Sequence, residues 1–373
     1  PPPPRRFAAT LGELTGGRIG LVCGSTQVLK GALTVAVRYA AQRQQFGPAD
    51  GAEVSVLDYP TLQAQLIPLL ATCYGASFAK TALVARYEEM KRTRDPAVVA
   101  DVHCLSAGLK AYLTETTNAA LGVCRAACGG HGYAAVNRFG QWRSDHDIFR
   151  TFEGDNTVLL QQVSGLLLKE YANKFKGSPI FTTWSYLKQL ASDALPPNPL
   201  VTHETDVAHL RDPAFLRAAM RHRAARLLHT LAARLRKHRG RQGDFFAWRT
   251  CLVHVVALAN AHVESVIVDA FYDAVDACAD RDCRASLKAL ADIFALSRVH
   301  ADVAFRNDDY IAPEKAKAIH RLLQKLCAKV RGVALPLVDA FGIPDFVLRA
   351  PIGLSTAQHD PYGDYLEAVG FGN

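Results

Sequence analysis

The sequence predicts an all-α protein built as two consecutive helical bundles. Three observations carry this. Apolar residues recur at helical spacing over long stretches. Almost no segment alternates with a period of two. Proline and glycine cluster in the short intervals between the periodic runs. The bundles are expected at residues 1–178 and 200–373.

The first helix spans Leu11 to Gln45. Val28, Leu29, Leu33, Val37 and Ala40 keep one face apolar, and Thr15-Gly16-Gly17-Arg18 loosens the start. A loop from Phe46 to Pro60 carries Gly47-Pro48 and Asp50-Gly51. Thr61 to Arg92 is the second helix, where Pro68 predicts a kink or a late start. Asp95-Pro96 breaks the chain. Ala97 to Ala127 is the third helix, ended by Gly129-Gly130. Asp155 to Phe175 is the fourth. Long helices on short links make an antiparallel bundle. Gly177-Ser178-Pro179 and Leu195-Pro196-Pro197-Asn198-Pro199 bracket a linker. Helical patterns at 213–239, 244–279, 285–306 and 313–341 form the second bundle, and Pro313 suits a first helical turn. No repeat of 20–50 residues is evident.

A chain of 373 residues with 49% hydrophobic content can build two or three cores. No apolar run reaches the roughly 18 residues of a membrane span, so none is expected. No apolar stretch follows Pro1-Pro2-Pro3-Pro4, so this start does not read as a signal peptide. Nine cysteines without framework spacing read as free thiols in a reducing or neutral compartment. The net charge is +8, concentrated between Arg211 and Arg241, where Asp212 is the single acid. Such a run could bind nucleic acid. However, Phe215, Leu216, Met220, Leu227, Leu228, Leu231 and Leu235 keep helical spacing, and no aromatics interleave. The run therefore reads as the solvated face of an amphipathic helix, with no nucleic-acid partner.

The chemistry is concentrated around Thr151-Phe152-Glu153-Gly154-Asp155-Asn156-Thr157. Asp155 or Asn156 can cap the helix that follows. Glu153 then sits at a helix mouth, where backbone N–H groups are free. A base beside free donors suits removal of a proton next to a carbonyl, with stabilisation of the oxyanion. A surface glutamate favoured by the helix dipole is the plainer alternative. Cys124, Cys128 and His131 lack a fourth ligand nearby, so no metal site is expected and buried thiols fit better. Ser144, His146 and Asp147 are crowded into one loop and do not make a working nucleophile. No Gly-x-Gly-x-x-Gly or P-loop occurs, so no nucleotide-binding fold is expected within the chain.

Several separated motifs share one family resemblance. They are Arg6 to Leu14, Arg38 to Pro48, Ser106 to Tyr112 and the long stretch from Cys124 to Gln162, which includes Cys128-Gly129-Gly130-His131-Gly132-Tyr133. In this order they resemble the C-terminal half of the acyl-CoA oxidases, in particular plant-type long-chain peroxisomal enzymes. The match is clear to about Phe175, and beyond Lys176 it is one of length and helical character. The resemblance implies FAD as cofactor, a fatty acyl-CoA as substrate, oxygen as oxidant and the peroxisome as location. The C-terminal Phe371-Gly372-Asn373 is not itself a peroxisomal address. Glu153 matches the glutamate that removes the α-proton of the thioester while the β-hydride passes to flavin N5. Its N–H would help bind the thioester oxygen. A free carboxylate, with a pKa of about 4.3, is too weak a base for this. Desolvation by Phe152 and the acyl chain is expected to raise it, with the helix N-terminus opposing.

Arg43, Gln45 and Phe46 match the family's flavin-contacting turn. An arginine there can bond a pyrophosphate, or simply satisfy the last helical carbonyls. In the family these contacts reach the neighbouring subunit's flavin, which implies a homodimer. Gly129 and Gly130 would let backbone approach the cofactor, or merely stop the helix. His131 and Tyr133 receive no specific role. The basic 211–241 stretch could attract anionic CoA. Complete oxidases carry a helical and a β domain before this region. The chain thus reads as the back half of an enzyme, completed by N-terminal domains or by a partner chain, and is expected to bind FAD weakly alone. An acyl-CoA dehydrogenase is the enzymatic alternative, although those usually end soon after the base. A non-catalytic helical subunit assembling with a complete oxidase is the alternative of another class.

Overall fold

Thirteen α-helices are found among the described residues of a computed structural model, which cover 14–175, 201, 203–302, 305, 311–355 and 361–370. The first set is α1 (Leu14–Gln42), α2 (Pro60–Thr93), α3 (Pro96–Ala127), α4 (Phe139–Asp147) and α5 (Asn156–Phe175). The second set is α6 (Val207–Leu210), α7 (Pro213–Thr250), α8 (Leu252–Ala277), α9 (Arg281–Ala301) and α10 (Pro313–Arg331). Three short helices close the chain: α11 (Ala334–Asp339), α12 (Asp345–Leu348) and α13 (Pro361–Ala368). No strand occurs among the described residues, in line with the all-α expectation. The Leu11 start and the two proline-rich linker motifs lie outside the described residues.

Local chemistry explains most boundaries. Asp95 accepts a hydrogen bond from the Ala97 N–H at 2.8 Å and Pro96 occupies the first turn, so Asp-Pro starts α3 rather than merely breaking the chain. Asp212 with Pro213 repeats the device at α7, where Asp212 accepts from the Ala214 N–H at 3.0 Å. Asp280 caps α9 through the Cys283 N–H at 2.7 Å. The expected break near 240 falls on Gly243, which leaves helical geometry inside α7 with φ 79°. The expected 313–341 helix divides at Gly332 into α10 and α11.

Two expectations are corrected. Helix α2 does not start late at Pro68. It begins at Pro60 and continues through Pro68, packed against α1, α3, α8, α9 and α10. Tertiary packing outweighs the lost backbone bond. The expectation that no segment is apolar enough for a membrane also fails on length and composition. Helices α1, α2 and α8 all pass that measure, and half or more of each apolar window is buried inside the protein. Helices surrounded by other helices are apolar on most faces, and α1 is buried almost continuously from Gly31 to Ala40.

One core cluster draws on both helix sets. Leu29, Leu33, Leu66 and Leu70 belong to it together with Ile267, Phe271, Phe294 and Leu326. Arg38 adds a polar fastening. Its guanidinium donates to Asp339 Oδ1 at 2.7 and 2.9 Å, to Asp345 Oδ1 at 2.9 Å and to the Gly353 carbonyl at 2.9 Å. The end of the chain is thereby strapped across α1.

Candidate functional site

Glu153 lies on the turn between α4 and α5, in the left-handed region at φ 59°, followed by Gly154 at φ 111°. The turn is held from two sides. Arg18 on α1 donates from Nε to the Glu153 carbonyl at 3.1 Å. Lys110 on α3 donates from Nζ to the Gly154 carbonyl at 2.7 Å and to Asn156 Oδ1 at 2.9 Å. Asp155 caps α5 by accepting from the Thr157 and Val158 N–H groups at 2.9 and 3.3 Å. Among the described residues the Glu153 N–H donates to no backbone carbonyl.

The side chain lies directly over Gly17. A Cβ on Gly17 would come within 2.4 Å of Glu153 Cδ and Oε1 and 2.6 Å of Oε2. The glycine that reads as a loosened helix start is therefore the cradle of the carboxylate. Oε2 is buried and has no hydrogen-bond partner among the described residues. An orphaned buried acceptor is costly, on the order of 1–3 kcal/mol or more for a charged group. It is also an acceptor with its lone pairs unspent. Phe152 is 44% exposed and packs against Phe149 at 5.4 Å between centroids.

Burial lowers the Lys110 pKa to about 8, with Asp155 pulling it back upward. Arg18 is also lowered by burial, against the pull of Glu153. Beside Arg18 opens a cleft of about 810 Å³, lined by Arg94, Val99, His103, Gln162 and Leu166 among others, and largely apolar. Burial, then Arg18, lowers the His103 pKa and favours its neutral form.

The second predicted group gathers at the opposite end of α1. Arg43, Gln45, Gly129 and Gly130 line one pocket of about 500 Å³, with Tyr39, His131 and Tyr365. Arg43 donates from Nη2 to Gln45 Oε1 at 2.8 Å. Phe46 stands next to this pocket in sequence but is 71% exposed, at φ 59°. A Cβ on Gly129 or Gly130 would meet nothing within 4 Å, so both present bare backbone to open space. His131 joins the wall through an edge-on contact with Tyr365 at 4.7 Å, while Tyr133 points outward. Glu153 is not among the residues lining this pocket. At about 1.5 Å per residue, α1 sets the two groups roughly 38 Å apart.

Cys124 and Cys128 are buried thiols, and burial raises both of their pKa values. His146 turns to Ser25 at 3.0 Å rather than to Ser144, and burial lowers its pKa to about 4.

Sequence reasoning missed Gly17, Arg18 and Lys110. The one signal available was two adjacent glycines followed by an arginine on an otherwise apolar helix, together with a lysine inside the apolar run of α3.

Two family profiles match the chain: "Acyl-CoA oxidase, C-alpha1 domain" over residues 11–168 and "Acyl-CoA oxidase" over residues 212–366. The chain is 54% identical over 369 residues to peroxisomal acyl-coenzyme A oxidase 2 of Arabidopsis thaliana, covering 98% of this chain and 53% of the relative. It is 34% identical to human peroxisomal acyl-coenzyme A oxidase 3, covering 95% of this chain and 52% of that one. The fold is similar to crystalline acyl-CoA oxidase 1 of Yarrowia lipolytica, with a TM-score of 0.85 at 29% identity, over 98% of this chain and 54% of that one. It is also similar to acyl-CoA oxidase-1 of Caenorhabditis elegans complexed with FAD and ATP, with a TM-score of 0.82 at 26% identity, over 91% of this chain and 51% of that one. The chain spans about half the length of the relatives it matches. It belongs to the acyl-CoA oxidase family and carries the part that includes the C-alpha1 domain.

Proposed function

We propose that this chain supplies the catalytic base of an FAD-dependent acyl-CoA oxidase. The reaction is α,β-dehydrogenation of a fatty acyl-CoA to the trans-2-enoyl-CoA, with oxygen reduced to hydrogen peroxide, in fatty acid β-oxidation. Relatives named peroxisomal support the peroxisome as its location. The observation that carries the reading is the buried, unpartnered Oε2 of Glu153 over Gly17.

In this reading Oε2 takes the α-proton of the thioester. The Glu153 N–H, with no backbone acceptor among the described residues, donates to the thioester oxygen as negative charge builds there. The apolar cleft beside Arg18 takes acyl chain and excludes water from the reacting carbons. The pocket at the far end of α1 fits part of a flavin nucleotide. Arg43 would bond the pyrophosphate, and Gln45, Phe46, Gly129 and Gly130 would border it. FAD, when bound, supplies the acceptor for the β-hydride and passes the electrons to oxygen.

The roughly 38 Å between the two ends of α1 supports a homodimer in which Arg43 serves the partner's cofactor. An open pocket walled on one side also fits the expectation that this chain alone retains FAD weakly.

Glu153→Gln in the flavin-loaded enzyme tests the reading. Single-turnover bleaching of the flavin by acyl-CoA, without oxygen, should slow by about 10² to 10⁴-fold at unchanged FAD content. Bleaching at the parent rate would remove Glu153 as the base.

A further inference from the structure

We propose that Lys110 is a positioning residue for the reaction, holding the Glu153–Gly154 turn so that the glutamate carboxylate stays over Gly17. The inference rests on the reading of Glu153 as the base.

Lys110 lies in the middle of α3 and its side chain is fully buried. A lysine there needs a reason, because taking an ammonium out of water is costly unless its donors are satisfied. All three of its acceptors come from the catalytic turn and its flanks. Nζ donates to the Gly154 carbonyl at 2.7 Å, to Asn156 Oδ1 at 2.9 Å and to the Arg150 carbonyl at 3.4 Å. These atoms straddle Glu153 in sequence. Asn156 is fixed in turn, since its Nδ2 donates to Thr114 Oγ1 at 3.0 Å. Thr114 lies one helical turn from Lys110 on the same helix, so α3 grips both sides of the turn.

The turn needs such a grip. A non-glycine residue in the left-handed region is strained and persists only where surrounding contacts over-determine it. Gly154 at φ 111° is also packed tightly, since a Cβ there would lie 2.9 Å from Leu159 Cδ2. With the Gly154 carbonyl tied to Lys110 and the Glu153 carbonyl tied to Arg18, the two peptide planes are set. The Glu153 side chain is then directed to Gly17, where its Oε2 has nothing else to bond. Lys110 acts through the turn and does not donate to the carboxylate, since its three bonds go elsewhere. Burial lowers the Lys110 pKa to about 8, which still leaves the amine mostly protonated at neutral pH and able to donate all three bonds.

The test compares Lys110→Met, which keeps length but has no donors, with Lys110→Gln, which keeps two N–H donors. The readout is exchange of the substrate's α-proton for deuterium in the flavin-loaded enzyme, per folded active site, together with kcat and KM. Misplacement of a reacting group by about 1 Å can cost about 10²-fold. Lys110→Met should lower exchange and kcat by about that factor, with KM within about twofold. Lys110→Gln should recover part of the loss, to within about tenfold of the parent. A merely structural lysine would lower the melting temperature and the folded fraction while leaving exchange per folded site unchanged, and that result overturns the proposal. Recovery by Gln no better than Met overturns it as well. If Lys110→Met does not fold, Lys110→Gln decides: a fall in kcat at parental KM supports the proposal, and parental exchange sinks it. Glu153→Gln runs in parallel. Loss of exchange there with parental exchange in both Lys110 variants rejects Lys110 alone, whereas parental exchange in Glu153→Gln rejects the base itself.

Discussion

The two ends of α1 are built on opposite plans. At the Leu14 end, Glu153 is enclosed by its own chain: a glycine beneath the carboxylate, an arginine and a buried lysine on the turn, and an apolar cleft alongside. At the Gln42 end, Arg43 and Gln45 border an open pocket with bare glycine backbone opposite and an exposed phenylalanine next in sequence. The first end is set before any ligand arrives. The second offers one wall of a site. A base must be fixed to within a fraction of an ångström, and only rigid surrounding structure achieves this. A cofactor wall can be completed by another surface.

The largest effect expected from this contrast comes from Gly17→Ala. The added methyl would occupy the place of the Glu153 carboxylate, which is the flexible end of a side chain and can swing aside. Stability should hold or rise slightly, since alanine favours helix by up to about 1 kcal/mol over glycine. Turnover should fall by about 10²-fold. Thermal melting and kcat measured together check this, and a large loss of both would mean the cradle is only packing.

Arg38→Met acts between the two ends. It releases Asp339, Asp345 and the Gly353 carbonyl, and with them the closing strap that brings Tyr365 to His131. A buried pair broken on one side costs about 3–5 kcal/mol, and Asp339 is half-exposed, so about 2 kcal/mol is expected. Denaturant melts would show it, with weaker flavin retention alongside.

Arg43→Ala should leave stability nearly unchanged and weaken FAD retention by about tenfold, the scale of one charge-assisted hydrogen bond. Flavin absorbance after gel filtration reads this directly.

The smallest effect concerns pH. Lys110 is lowered by burial to about 8, below its unfolded value of about 10.4. The folded state therefore holds fewer protons than the unfolded state between these values, so this group's contribution to stability rises as pH increases through the window. Over the same range kcat should decline, because the neutral amine has one donor fewer. Asp155, Glu153 and Arg18 face Lys110 electrostatically and modulate the midpoint. Lys110→Met should lose both trends, as pH-dependent melts and kcat profiles would show.

Much of this was legible in the sequence. The long helices of the first set carried clear apolar periodicity, and of the two caps the sequence offers for α5, Asp155 and Asn156, Asp155 takes the role. Glu153, Arg43 and the paired glycines were visible because the family resemblance covers them. Pro68 misled as a place for the helix to start, because the packing of α2 against its neighbours outweighs local propensity. The closing helices α12 and α13 were not foreseen, since helices of a few residues leave no periodic trace, and α11 was read as the end of one longer helix. Gly17 and Lys110 escaped for a different reason. Their partners lie far along the chain, and neither the carboxylate over a glycine nor carbonyls around an ammonium writes a local pattern.

The contrast between the ends of α1 makes one demand that mixing can test. If the base belongs to one subunit and Arg43 serves the other's flavin, two crippled variants should complement each other. Glu153→Gln and Arg43→Ala subunits are unfolded together, refolded with FAD, freed of unbound FAD by gel filtration, and assayed by acyl-CoA turnover without added FAD. Random pairing in a two-fold dimer places an intact Glu153 with an intact Arg43 in about one quarter of all sites. Turnover near one quarter of the parent, well above either variant alone, is the predicted result. Turnover no higher than the average of the two variants would contradict the shared site and place both ends of α1 in the service of a single subunit.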